Sequence, residues 1–462
     1  MSTSTILDLI GQTPIIEITH LDRGMCRLFV KLESQNPGGS IKDRIAISMI
    51  EAAEQSGKLK PGGTIVEATA GNTGLGLALI AALKGYKIIL VVPDKMAREK
   101  IAHCKALGAD VRMTRSDVGI GHAEYYQDMA KRIAQETGGF YVNQFGNPAN
   151  PAAHEKTTAP EIWEQMEHQV DAIVCGVGSG GTMMGVARYF ARVSPKTEMI
   201  LADPVGSILA PLVTTGKKIT PGSWEVEGIG EDFVPPNLDI KVITKAYSIS
   251  DSESLKTARE LLVHEGVLAG SSSGTLLAAA LRYCREQKSP KRVVTFVCDQ
   301  GGKYLSKLFN DTWMLEQNFI KRRQTGTVED LVIRRHDTGD AVIIRSTDTL
   351  LTVYRRMRSS DVSQIPVLDE NDHVVGVIQE ETIFRHNVKA TTNEAKGKFF
   401  TQQAKTIMDK SFVMIDKLAP LHKATELLQQ QPLLIVSDGG RFVGLITRVD
   451  LLNHMFLNEQ TL

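Results

Sequence analysis

The chain has 462 residues, 42% of them hydrophobic and 23% charged, an ordinary globular balance in a chain too long for one core, so two or three domains are expected. Lys+Arg and Asp+Glu both number 53, and with no net charge there is no chain-wide field to draw the protein to nucleic acid or to an anionic membrane; neither is expected as a partner. The five cysteines (Cys26, Cys104, Cys175, Cys284, Cys298) are scattered and never spaced C-x-x-C, which argues against a disulfide framework or a zinc ribbon and for a reducing compartment. The N-terminus MSTSTILDLIGQTP has neither a basic leader nor an apolar h-region, and no apolar run approaches the ~20 residues of a bilayer span. A cytoplasmic protein is expected.

From Thr13 to about Gln300 short apolar runs alternate with amphipathic stretches. TIVEATAGNTG, KIILVVPD, DAIVCGVGSGG, EMILADPVG and RVVTFVCDQ each predict a buried strand closing on turn residues; LGLALIAALKGY and MMGVARYFARV predict helices between them. This alternation predicts an α/β fold with a largely parallel sheet, whose ligands bind at the carboxyl ends of strands. After Trp313 the stretch NFIKRRQTGTVEDLVIRRHDTG is charged and poor in aromatics, which predicts a linker. An internal repeat follows. IPVLDENDHVVGVIQEETIFRHN and LLIVSDGGRFVGLITRVDLLNHM share the order strand, acidic turn, strand, helix, and a predicted helix precedes each (TLLTVYRRM and LHKATELLQQ). The expected division is a catalytic domain over 1–325, a linker over 326–340, and repeats over 341–396 and 397–462.

Four segments carry candidate chemistry. GVGSGGT follows a predicted strand and opens a helix, so its backbone N–H groups suit a phosphate. Gly176, Gly178 and Gly181 also satisfy G-x-G-x-x-G, and Asp203 ends the next strand at the spacing of a dinucleotide fingerprint, so this segment alone divides evenly between NAD and another phosphorylated cofactor. NPGGSIKDR places Lys42 at the start of a helix, where the dipole disfavours an ammonium; the plainer reading is a solvated lysine. ATAGNTGLGLA is a strand, glycine loop and helix whose N–H groups suit a carboxylate, or simply a tight turn. LAGSSSGT sets a hydroxyl for a heterocyclic nitrogen, or simply caps a helix.

Taken together and in this order, NPGGSIKDR, AGNTGLGLA, NQFGNPANPAAH, GVGSGGT and VEGIGEDFVP closely resemble the fold-type II pyridoxal-phosphate β-synthases, a family that includes cysteine synthase and cystathionine β-synthase. The resemblance spans about residues 6 to 315 and implies a tryptophan synthase β-like fold. It sets the NAD reading aside and leaves Asp203 as a strand-end residue. It implies that Lys42 holds pyridoxal 5'-phosphate as a Schiff base, that Asn72 meets the ring oxygen, that Gly178, Ser179, Gly180, Gly181 and Thr182 cradle the phosphate, and that Ser272 faces the pyridine nitrogen. The substrate carboxylate is expected against Thr69, Ala70, Gly71, Asn72 and Thr73, with Gln144 helping; Ala70 stands where the family commonly has Ser. The implied chemistry is loss of a β-substituent followed by addition of a thiol, with Lys42 as base at Cα.

DPVGSIL, VEGIGEDFVP and DQGGKYLSKLFNDTWM resemble the cystathionine β-synthases more than the cysteine synthases, and the repeat pair resembles tandem CBS domains. NQFGNPANP resembles both branches, and Glu231 stands where an aromatic is often found. Serine and homocysteine are the expected substrates, with O-acetylserine and sulfide as the alternative pair. Scarcely ten residues precede GQTP, so no haem-bearing segment and no haem are expected, nor is a metal. In the second repeat GLITRVD gives Thr447 and Asp450, a ribose-binding pattern; the first-repeat positions are Gln379 and Thr382, a poor match. S-adenosylmethionine or an adenine nucleotide is therefore expected near Thr447 and Asp450, unless the pair is a dimerisation scaffold. Regulation of the enzyme, or adenylate sensing as the function in its own right, follows from that site; the family implies a homodimer or larger.

Overall fold

The computed structural model describes residues 5–69, 71–94, 96, 98–119, 121–322, 324–388 and 398–459. The chain divides into two compact units, Met1–Phe309 and Asn310–Leu462. The first is built on two sheets. The larger has six strands in the order Ile15–Ile18, Arg27–Lys31, Arg292–Phe296, Ala172–Gly176, Glu198–Pro204, Lys245–Ile249. Its first pair is antiparallel and the other pairs are parallel. The smaller sheet is parallel throughout, in the order Asp110–Thr114, Lys87–Pro93, Thr64–Ala68, Phe140–Tyr141. The expected α/β fold is thus present as two sheets rather than one. Their central strands, Lys87–Pro93, Ala172–Gly176 and Arg292–Phe296 among them, read as near-continuous apolar runs, because helices cover both faces of a parallel sheet.

Three loops at carboxyl ends of strands matter for function. They follow Thr64–Ala68, Ala172–Gly176 and Arg292–Phe296. Helix Asn72–Lys84 carries glycines at 74 and 76 and is apolar on nearly every side, so it is buried. A Cβ at Gly76 would stand 3.2 Å from the Lys42 carbonyl oxygen and 3.1 Å from Ala46 Cβ. This near-backbone contact brings the helix Lys42–Gln55 against the helix that begins at Asn72. Gly85, in the left-handed region at φ 75°, ends the second of these helices, as a C-cap glycine does.

The C-terminal unit repeats one motif twice. Strands Ile344–Arg345, Gln364–Leu368 and Val374–Gln379 form one three-stranded sheet; Met414–Asp416, Leu433–Asp438 and Arg441–Thr447 form the other. Each has a parallel then an antiparallel pair, and both hairpins slip register at equivalent places, Val367/Leu368 and Val436/Ser437. Helices Glu380–Val388 and Arg448–Glu459 follow the hairpins, in the order expected from the repeat. The charged stretch expected as linker does more than connect. Val328, Leu331 and Val332 are buried with Ile415, Ala424, Leu434 and Ile446, because a short 3-10 turn puts these three on one side and leaves Glu329 and Asp330 towards the surface. No helix among the described residues is long and apolar enough to cross a membrane.

Candidate active site

A cavity of about 550 Å³ in the first unit opens at the carboxyl ends of the three strands named above. Its wall brings together Lys42, the loop residues Thr69, Gly71, Asn72 and Thr73, and Gln144. The turn from Gly178 to Thr182 and the helix-start residue Ser272 complete it. Ala70 lies outside the described residues.

Lys42 begins its helix just after a fixed turn. The N–H of Ile41 donates to the Cys298 carbonyl at 2.8 Å, and the N–H of Lys42 donates to Ser40 Oγ at 3.2 Å. Burial holds the Lys42 amine below its usual range, against the opposing pull of Cys298, Asp299 and Glu231. The direction is the one expected from the helix N-terminus, but desolvation is the larger cause. An amine so held is suited to forming an imine and to taking a proton from carbon.

The loop after Thr64–Ala68 is tied to the segment around Gln144. Thr73 Oγ1 donates to Gln144 Oε1 at 2.8 Å, and Gln144 Nε2 donates to the Ala68 carbonyl at 3.3 Å. Beneath them Glu67, fully buried, accepts from the N–H of Ala68 at 2.9 Å and of Gln144 at 3.2 Å. Burial pushes the Glu67 carboxyl up to about 8. Thr69 Oγ1 accepts from the N–H of Gly71 at 3.2 Å, which closes the turn that leads into the helix beginning at Asn72.

The glycine turn leads into helix Gly181–Val193. Gly180 sits at φ 82°, and a Cβ at Gly178 would stand 2.6 Å from the Gly228 carbonyl, so only glycine fits both places. A Cβ at Gly181 would overlap the Asn150 side chain. Asn150 Nδ2 donates to Ser179 Oγ at 2.9 Å and to the Gln144 carbonyl at 2.8 Å, which ties the turn to the substrate-side loop. Thr182 Oγ1 pairs with His154 Nε2 at 3.1 Å. Ser272 is buried in the first turn of helix Ser271–Arg285. Beside it burial pushes the Cys298 thiol up to about 12, with the Ser272 hydroxyl pulling the other way. Asp203, buried at the end of its strand, accepts from the N–H of Ala210 at 2.8 Å and lines no part of this cavity, which leaves the dinucleotide reading without its acid.

Sequence reasoning missed a polar group that lines the cavity beside Gly71. Lys100 Nζ pairs with Glu227 Oε2 at 2.6 Å and with the Tyr304 hydroxyl at 2.7 Å, and Lys307 pairs with Glu227 Oε1 at 3.0 Å. Nothing in local spacing marks Lys100, since it lies within an ordinary helix, Arg98–Ala106.

In the C-terminal unit a second cavity of about 340 Å³ is lined by Asp450, Asn453, Arg322, Thr325 and Arg335 among others. Asp450 Oδ2 accepts from both the N–H and the Oγ1 of Thr447, each at 2.7 Å, which leaves its second oxygen for other donors. Gln379 and Thr382 line neither this cavity nor the larger one.

Residues 6–299 match the family described as pyridoxal-phosphate dependent enzyme, and residues 328–389 and 404–457 each match the CBS domain. The chain is 35% identical over 465 residues to a cystathionine beta-synthase of Apis mellifera, covering 98% of this chain and 91% of that one. It is 42% identical over 307 residues to cysteine synthase A of Escherichia coli (strain K12), covering 65% of this chain and 94% of that one. The crystal structure of an O-ureido-L-serine synthase superposes with a TM-score of 0.62 at 33% identity, covering 67% of this chain and 96% of that one. Pyridoxal phosphate suits the residues present: a buried amine, a turn whose glycines leave a Cβ-free cradle at a helix N-terminus, and a hydroxyl at a second helix start.

Proposed function

Because the chain belongs to the pyridoxal-phosphate dependent enzymes and, along its full length, to the cystathionine β-synthase family with its pair of CBS domains, we propose that it condenses L-serine with L-homocysteine to L-cystathionine and water. The span of the similarity carries this reading. Cystathionine beta-synthase relatives match 81% to 98% of the chain, into the tail, whereas cysteine synthase A matches 65%.

The cofactor, when bound, supplies an electron sink for charge developing at the substrate Cα. The chain's own residues do the rest. Lys42 would hold the cofactor, and its amine, once free, would take the substrate Cα proton and later return it. Thr69 to Thr73, with Gln144, orient the substrate carboxylate so that the β-hydroxyl can leave as water and the homocysteine thiolate can attack Cβ. The Gly178–Thr182 turn holds the phosphate by backbone N–H groups. Ser272 would offer a neutral hydroxyl to the ring nitrogen. Unlike a carboxylate it would not hold that nitrogen protonated, a weaker sink that favours β-substituent loss over racemisation.

The protein is proposed to act as a cytoplasmic homodimer or larger oligomer and without haem; a Soret band on the purified protein would overturn the last point. The CBS pair is proposed to bind an adenosyl ligand near Thr447 and Asp450 and to regulate the enzyme. Purified protein is assayed with serine and homocysteine while its visible cofactor band is followed. Cystathionine formed in step with a reversible change in the band supports the reading. Turnover only with O-acetylserine and sulfide makes the protein a cysteine synthase with a regulatory tail. Absence of any cofactor band after reconstitution removes the catalytic claim.

A further inference from the structure

The amide of Asn72 is held on two sides by residues of the DQGGKYLSKLFNDTWM segment to which the sequence assigned no individual role. Lys303 Nζ donates to Asn72 Oδ1 at 3.1 Å, and Asn72 Nδ2 donates to Asp299 Oδ2 at 2.8 Å. Lys303 is only a donor and the Asp299 carboxylate only an acceptor, so the two together dictate which end of the amide is oxygen and which is nitrogen. Both clamps are themselves fixed. The remaining two donors of Lys303 go to the carbonyls of Gly38 and Gly39 at 3.1 and 3.0 Å, in the turn that leads to Lys42. Asp299 Oδ2 also accepts from the Tyr304 hydroxyl at 2.7 Å, and that hydroxyl in turn accepts from Lys100. Asp299 is fully buried and Lys303 nearly so, so neither arrangement is exchanged freely for water.

One side-chain donor of Asn72 is left over, its second Nδ2–H, on a residue that lines the cavity. We propose that Asp299 and Lys303 are positioning residues that set the Asn72 amide, so that one N–H of Asn72 meets the ring oxygen of pyridoxal phosphate. This rests on the catalytic reading above and adds what holds the group in place. An amide turned the other way would set oxygen against oxygen, which repels rather than binds. Lys303 has a second consequence. By spanning the Gly38–Gly39 turn and Asn72 it fixes the distance between the lysine and its partner across the cofactor.

The test is a titration of full-length apoprotein with pyridoxal phosphate, reading affinity and the visible spectrum of the bound form. The proteins compared are wild type, Lys303→Met, Asp299→Asn and Asn72→Ala, with Lys303→Met also placed in the Asn72→Ala background. Lys303→Met and Asp299→Asn are expected to weaken binding about tenfold, the worth of one hydrogen bond to a charged group, and to shift the balance between the visible bands. In the Asn72→Ala background Lys303→Met is expected to add little, because the group it positions is gone. Wild-type affinity and spectrum in both single variants overturn the proposal. So does an equal loss from Lys303→Met with and without Asn72, which is what a general packing role gives. Asp299→Asn keeps shape and volume, so it decides the matter even where Lys303→Met folds poorly. If wild-type apoprotein takes up no pyridoxal phosphate, the catalytic reading itself falls; if it does and the variants match it, only the clamp falls.

Discussion

His154 Nε2 lies 3.1 Å from Thr182 Oγ1, and its Nδ1 lies 2.9 Å from Thr158 Oγ1, so one buried imidazole joins the glycine turn to a neighbouring helix. The ring sits at the start of a π-helical turn, His154–Thr158, whose backbone hydrogen bonds span one residue more than those of an α-helix. Burial, with smaller contributions from Lys42 and Arg44, holds His154 well below the usual histidine range. It is therefore neutral at physiological pH. Thr182→Val is expected to weaken cofactor binding about tenfold and Thr182→Ser to preserve it, by titration of the apoprotein. Because His154 carries no charge near neutrality, that affinity should not fall between about pH 8 and pH 6 through histidine protonation. A drop there that His154→Gln abolishes would count against the neutral ring.

Gly181 is where the turn tolerates least. A Cβ there overlaps the Asn150 side chain, which is itself tied to Ser179 and to the Gln144 carbonyl. Gly181→Ala is expected to cost about 3 kcal/mol or more and to yield protein without cofactor. Gly57→Ala is the comparison: Gly57 has φ 68° but nothing within 4 Å, so only the backbone cost of about 1 kcal/mol applies. Thermal melting with the cofactor-to-protein absorbance ratio checks both.

The buried carboxyl of Glu67 makes stability depend on pH in a definite direction. Its folded value, about 8, lies above its unfolded value of 4.5, so the folded chain binds the extra proton between them. Stability then falls as pH rises through that window. Asp43, pushed up to about 7, and Asp203, to about 6, act the same way over narrower windows. Glu161 acts oppositely: ion-paired with Arg44 and Lys31 it falls to about 2, so its contribution is present above 4.5 and lost in acid. Glu67→Gln removes one of the raised groups. Its melting temperature relative to wild type is expected to climb from about pH 5.5 to pH 8.5. A constant difference across that range would exclude a buried carboxyl titrating in it.

For the C-terminal unit, Asp450→Asn is expected to weaken an adenosyl ligand more than Gln379→Ala does, because Asp450 lines the cavity and Gln379 does not. Calorimetry with S-adenosylmethionine, AMP and ATP checks this. Heat from none of the three favours a scaffold role for the CBS pair. Heat that persists undiminished in Asp450→Asn places the ligand elsewhere.

Much of the site was legible because its segments pair a glycine turn with a helix start. ATAGNTG and GVGSGG also follow a strand end, while the residues before Lys42 follow a 3-10 turn, and the structure gathers all three around one cavity. The repeat was legible for the same reason, since strand, turn, strand and helix are read from local periodicity. What local pattern did not give was the separation of the strands into two sheets, or the burial of Val328, Leu331 and Val332 amid charged neighbours. Strand pairing and burial depend on partners far along the chain.

The sequence by itself determined which segments turn, which helices begin at Lys42, Asn72 and Gly181, and which family the chain resembles. Each of these is encoded within about a dozen residues, by glycine placement, apolar period and motif order. Only the tertiary structure decided what holds those residues to account. The bond from Lys303 to Asn72 spans 231 positions, that from Lys100 to Tyr304 spans 204, and that from Thr73 to Gln144 spans 71. Separations of that order carry no signal in one sequence, because a hydrogen bond is fixed by distance and angle in space and not by spacing along the chain.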